Sequence, residues 1–325
     1  RKQRRKKMRY GDSTERKKFG KAECVKSVFA FFCNYLILLF LVALFIWMNT
    51  LAIEGESFRN YVTKHYNVVI YLLASIFVLC LTIYFYYIFE DKSMLASSRN
   101  IWLIFLMLDV CLLVCYLFGY FFNIYSRPVA LLALLALMLL SRRDAIFLNS
   151  IFAVMMFSID SFTNFSEINA YPIALSATPL MAFSAGMVGI FVGSQVKTRI
   201  RSFLSGFAVS IPIIVMIACL EYSRGSDVIY LVLYGLEAGL LSSVLFMAFL
   251  PVFEVLFNCI TDYRLRELTD HDAPLMRELK DRAPGTFNHC IVVAHLAEAC
   301  AIALNEDTAL ARAAAYYHDV GKLRQ

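Results

Sequence analysis

Long apolar runs recur between residues 27 and 257, and they fix the class of fold before any single residue is considered. In hydrocarbon, each backbone N–H and C=O must be satisfied within the chain, so a spanning segment is a helix or part of a closed barrel. Runs at 27–48, 68–89, 101–122, 179–196, 203–220 and 228–257 each exceed the ~17 residues a helix needs to cross a ~30 Å core. Two others, 128–140 and 145–158, flank Ser141-Arg142-Arg143-Asp144 and fall short of that length. They read as two short spans or as one re-entrant hairpin, and the parity of the topology is the same either way. With 60% apolar and 17% charged residues, a soluble domain is excluded. The expected fold class is all-α: a polytopic helical membrane bundle of about eight spans, two of them short.

Charge orients the bundle. The net charge of +6 comes from a basic tail at 1–26, while the rest is slightly acidic. With the tail inside, the cytosolic loops carry Lys92, Arg99, Arg142, Arg143, Lys197, Arg199 and Arg201, and the outer ones only Arg59, Lys64, Arg127 and Arg224. That excess predicts both termini in the cytosol, with membrane lipid as a partner of the tail. No nucleic-acid polymer is expected, because the charges are not interleaved with an aromatic stacking pattern. The nine cysteines avoid the outer loops and form no C-x-x-C pair, so neither a disulfide framework nor a cysteine zinc site is expected.

Asp109, Glu237 and Glu254 lie within or at the edge of spans, where a carboxylate is a functional candidate by default and an interhelical hydrogen bond is the plainer reading. Residues 261–282 read as a linker helix or a pair of short helices broken at Pro274. There His271, between Asp270 and Asp272, reads as part of a solvated charge run.

Chemistry concentrates at 283–322. Pro284-Gly285 breaks the linker, and Thr286 is the expected N-cap of a helix with His289 in its first turn and Cys290, Val293, Leu296, Ala297, Cys300 and Leu304 facing the core. His295, six residues on, lies roughly 120° around the helix and is not expected to share an ion with His289. Asn305 is the expected N-cap of a second helix, with Glu306 and Asp307 at its positive end and Ala309, Leu310, Ala313, Ala314 and Tyr317 inward. That helix ends at His318-Asp319, and Gly321 lets the chain leave. Imidazole and carboxylate donors in this placement suit Mn, Fe, Co, Ni or Zn, and a pair of ions ~3.5–4 Å apart can clamp a phosphodiester. Lys322 is a candidate to neutralise a phosphate oxygen, or else a surface lysine.

The segments APGTFNH, AHLAEAC and LARAAAYYHDVGK, with LPVFEVLFNCITDYRLRELTD and PLMRELK upstream, resemble the seven-transmembrane receptors with an intracellular HD hydrolase domain (PgpH type). The similarity runs from about 128 to 322 and is dense over the last seventy-odd residues. It implies a bacterial cytoplasmic-membrane phosphodiesterase that converts cyclic di-AMP, a cyclic dinucleotide, to pApA with two divalent ions, Mn or Fe. By motif, His289, His318 and Asp319 match metal ligands, Asp319 being the expected bridge and, with Lys322, the expected catalytic pair. A homodimer is compatible with this.

The resulting division is a tail at 1–26, a bundle at 27–258 (the seven-span region from about 68), a linker at 259–285 and the first part of an HD domain at 286–325. The family generally has a large extracellular domain after its first span, where this chain has only 49–67, and further ligands downstream of the His-Asp pair. Arg1 in place of Met and the end at Gln325 suggest a fragment, expected to be inactive alone because two helices do not bury a core. A non-catalytic membrane sensor or scaffold with an HD remnant is the competing reading. A transporter, motivated by Asp109 and Glu237, is a distant third.

Overall fold

The computed structural model describes residues 21–51, 57–95, 97–163, 172–196, 198–222 and 228–324. The chain divides into two compact units, a larger one reaching to Asn258 and a smaller one formed by 197–199 and 259–325. All regular elements among the described residues are helices.

The larger unit opens with α1 (Lys21–Leu51), α2 (Phe58–Lys64), α3 (Tyr66–Glu90), α4 (Lys92–Leu95) and α5 (Ser98–Phe121). Phe31 meets Tyr84 and Phe105, Tyr35 meets Phe77, and Phe45 stacks on Tyr116 at 3.9 Å. These pairs set α3 antiparallel to α1 and α5 parallel to it. A 3-10 turn (Ile124–Ser126) leads into α6 (Leu131–Leu139), followed by α7 (Arg142–Thr163), α8 (Pro172–Gly193), α9 (Arg199–Tyr222) and α10 (Val228–Phe257). Helices α1, α3, α5, α7, α9 and α10 are long and apolar enough to cross a membrane. Phe29, Phe40, Tyr71, Phe89 and Val255 are more than two-thirds exposed, as lipid-facing side chains would be.

The two short apolar runs differ from expectation. The second is the middle of α7, whose 22 residues suffice for a full crossing. The first holds only the nine-residue α6, about 13 Å of helix, yet it is no re-entrant hairpin. Tyr116 and Tyr120 of α5 donate to the carbonyls of Phe45 and Met48, placing the end of α5 beside the end of α1. Arg143 and Asp144 of α7 meet Glu90 and Tyr86, placing the start of α7 beside the end of α3. The chain between therefore traverses the bundle, partly as irregular backbone. Irregular backbone at membrane depth requires a protein jacket, and Tyr125 to Ala130 are all buried, as are seven of the nine α6 residues.

This segment also carries charge inward. Arg127 Nη1 lies 2.5 Å from Asp160 Oδ2 of α7, with both side chains buried. Tyr125 donates to Glu221 of α9 at 2.6 Å and Ser126 to Glu237 of α10 at 3.1 Å. Arg127 is thus an interior residue and not an outer-loop charge, which leaves the loop asymmetry steeper than the sequence count. Asp160 lies within α7, and residues 164–171 lie outside the described residues. Gly119 makes room for the guanidinium, because a Cβ there would sit 2.1 Å from Arg127 Nε. Across α9 and α10, a Cβ on Gly239 would lie 2.6 Å from the Gly206 carbonyl oxygen, so the two backbones meet only through small residues. Of the three carboxylates singled out in the sequence, Glu237 is hydrogen-bonded to Ser126, Glu254 is buried, and Asp109 is buried with neither oxygen hydrogen-bonded.

The smaller unit contains α11 (Asp262–Leu268), α12 (Pro274–Arg282), α13 (Pro284–Leu304), α14 (Thr308–Tyr317) and a closing 3-10 turn (Val320–Arg324). The linker is therefore the pair of short helices, separated before Pro274. By length and composition α13 also qualifies as a span, but it packs between α12 and α14 around Met276, Leu279, Phe287, Cys290, Ala294 and Tyr316.

Candidate metal centre

Helix α13 starts two residues before the expected cap. Ala283 is the N-cap and Pro284 the first helical residue, a position where a missing N–H does no harm and a fixed φ helps. His289 consequently sits in the second turn. The inward face is also rotated from the expected one: Phe287, Cys290, Ala294 and Ala301 are buried, whereas Leu296, Cys300 and Leu304 are exposed. Apolar residues line most of the α13 circumference, so periodicity does not select a face. Small residues do, by letting α14 approach.

The connection to α14 differs too. Asn305 closes α13 in the left-handed region (φ 53°), and Asp307 is the N-cap of α14, accepting from the Leu310 amide at 3.0 Å. Ala313, Ala315 and Tyr316 face inward, while Leu310 and Ala314 are exposed. The end of α14 is tied down twice. Arg312 pairs with Glu298 of α13 at 3.2 Å, and the Tyr317 hydroxyl donates to the Leu268 carbonyl of α11 at 2.5 Å. Within the same unit, Arg199 pairs with Glu267 at 2.6 Å.

These supports bring His289, His318 and Asp319 together, with one donor atom from each lying within 4.8 Å of the others. The two imidazole rings are 5.5 Å apart. Among the described residues, this is the single group of three or more His, Cys, Asp or Glu side chains close enough to share an ion. His295 is exposed and outside it. His271 is outside it as well, exposed like Asp270 and Asp272 beside it, with its ring edge-on to Phe287 and Tyr316.

The donors suit a metal. His318 Nδ1 lies 2.6 Å from the Ala315 carbonyl, which can only accept, so Nδ1 is the donor there and Nε2 is the nitrogen left to face an ion. That Nε2 lies 3.5 Å from Asp319 Oδ2. Two imidazoles with a carboxylate match a borderline divalent ion. Lys322 Nζ donates to Asp319 Oδ2 at 2.6 Å and holds its carboxyl below the usual carboxylate range. Lys322 is therefore engaged with Asp319 rather than turned free toward a phosphate. Cys290 Sγ is 4.0 Å from His318 Nδ1, but burial pushes its thiol up and the Asp319 charge adds to the shift, which makes it an inert packing residue. Sequence reasoning missed the Ala315 carbonyl and the Tyr317 anchor. The first is backbone and has no residue signature; the second showed only as an apolar-face position.

The family profile described as 7TM receptor with intracellular HD hydrolase matches residues 66–261, and the HD domain profile matches 286–325. The cyclic-di-AMP phosphodiesterase PgpH of Bacillus subtilis is 31% identical over 209 residues, 62% of this chain and 28% of that protein. PgpH of Listeria monocytogenes is 29% identical over 154 residues, 46% and 21% of the two chains. An uncharacterized protein of Synechocystis is 41% identical over 92 residues, 28% and 11%. The matched stretch spans less than a third of the length of each of these relatives. No solved structure matches the chain.

Proposed function

The chain belongs to the family of 7TM receptors with an intracellular HD hydrolase, and from that premise we propose that it is part of a membrane-anchored, metal-dependent phosphodiesterase that opens cyclic di-AMP to pApA. The observation that carries the reading is the convergence of His289, His318 and Asp319 within 4.8 Å in the region matched by the HD profile. The naming of two relatives as cyclic-di-AMP phosphodiesterases supports the substrate. In this reading His289, His318 and Asp319 are metal ligands, Asp319 is the bridge if two ions are held, and the metal is Mn or Fe. A divalent ion there would supply Lewis acidity toward a phosphate oxygen. The Ala315 carbonyl orients the His318 ring, and Lys322 keeps Asp319 ionised until an ion takes its place. The larger unit holds this site at the cytosolic face of a bacterial inner membrane, with both termini inside, a placement supported by the loop charges. A homodimer is compatible with the reading.

The test uses membranes from cells that express the protein from its own gene, supplied with Mn²⁺ and cyclic di-AMP, with pApA measured by chromatography. Turnover is expected, falling at least about 100-fold in Asp319→Ala, in line with loss of a metal ligand. Turnover that survives this change, or its absence in the metal-loaded wild type, overturns the reading. A non-catalytic sensor is favoured by one observation, the Lys322 ammonium seated on Asp319, where it competes with a metal. Mn²⁺ binding without hydrolysis would select that alternative.

A further inference from the structure

A groove opens between the second and third turns of α1 and the start of α5, independent of the metal centre and of its chemistry. Its volume is about 310 Å³, and Val25, Lys26, Phe29 and Ala30 of α1 line it opposite Ser98 and Trp102 of α5. The two helices run parallel, so the groove sits at one end of the bundle, and that end adjoins the basic 1–26 run. Its character is split. Phe29, on the lipid-facing surface, and the half-buried Trp102 make an apolar wall, whereas the exposed Lys26 supplies its charge. Lys26 has no carboxylate partner among the described residues, and no acidic residue lines the groove. Ser97 caps α5 without a side-chain hydrogen bond, so the first amides of that helix also present positive ends here. Lys92 and Arg99 are exposed nearby in the sequence.

We propose that this groove is a binding site for an anionic phospholipid. The headgroup phosphate lies against Lys26 and the amide end of α5, and an acyl chain lies along Phe29 and Trp102. Charge complementarity selects this occupant. A zwitterionic lipid brings its own cation to a mouth that already holds one, and an apolar peptide leaves Lys26 without a counterion. Near a membrane surface a basic residue is worth ~1 kcal/mol toward an acidic lipid, or about a fivefold preference over a zwitterionic one.

The two tryptophans, Trp47 and Trp102, supply the readout. The full chain carrying Trp47→Phe is reconstituted with phospholipid brominated on its acyl chain, as phosphatidylglycerol or as phosphatidylcholine, at equal mole fractions. Quenching of Trp102 is expected to report about fivefold tighter association of the phosphatidylglycerol, falling toward parity in Lys26→Gln and at high salt. The Trp102→Phe protein, which reports Trp47, is expected to show no headgroup preference. Equal quenching of Trp102 by the two lipids overturns the proposal. So does a preference that survives Lys26→Gln, because it would place the anion elsewhere.

Discussion

Two charge clusters in this molecule handle the same groups in opposite ways. Within the larger unit, Asp160, Glu221 and Glu237 of three helices converge on the irregular segment that carries Tyr125, Ser126 and Arg127, and each is matched to a protein partner. In the smaller unit, His289 and His318 are exposed, and the Asp319 carboxylate beside His318 Nε2 is met by the half-exposed Lys322. The first arrangement is closed: Arg127 meets Asp160, and the Tyr125 and Ser126 hydroxyls meet Glu221 and Glu237. The second is held from behind, by Ala315, Tyr317 and Arg312, and left open in front. Protein-satisfied charge marks structure, and braced but exposed donors mark a place for something to bind.

A graded series of ion pairs sharpens the contrast. The largest effect is expected for Arg127→Ala, which takes the buried guanidinium away from the buried Asp160 carboxylate and should lower stability by about 3–5 kcal/mol, read as thermal denaturation in detergent micelles. Replacing both partners, Arg127→Met with Asp160→Leu, should recover most of that loss. If the double change is as damaging as the single one, the pair does more than neutralise itself. Arg312→Leu, in a pair whose side chains are each about a third exposed, should cost about 1 kcal/mol, including its contact over the Tyr316 ring. Smallest is Lys322→Met, which leaves the melting temperature where it was and raises Mn²⁺ affinity about threefold by removing a competing cation beside Asp319. A fall in Mn²⁺ affinity would show instead that Lys322 is needed to aim the carboxylate.

The parts legible in the sequence were those with long-range or motif signals. Span lengths gave the membrane helices, because hydrocarbon thickness imposes them. His289, His318 and Asp319 were legible because a helix end and a Gly-Lys exit fix where the His-Asp pair points. What stayed hidden was whatever an all-apolar background cannot encode. Periodicity vanishes when a helix is apolar on every side, so the face of α13 was misplaced, as were the burial of α6 and the true extent of α7. Arg127 looked like a loop charge because nothing local distinguishes a solvated arginine from one whose partner is 33 residues away. Asn305 and Asp307 were both acceptable caps by residue type, and the left-handed turn that assigns them follows only from the angle between α13 and α14.

The contact between His318 Nδ1 and the Ala315 carbonyl has one more consequence. A ring held by one nitrogen has a single lone pair to offer and a single direction in which to offer it, before any ion arrives. The orientational freedom that a loose histidine surrenders on ligation has here been given up during folding, alongside the winding of α14. On the proposed function, an ion would find this ligand already oriented and would displace the Lys322 ammonium from Asp319.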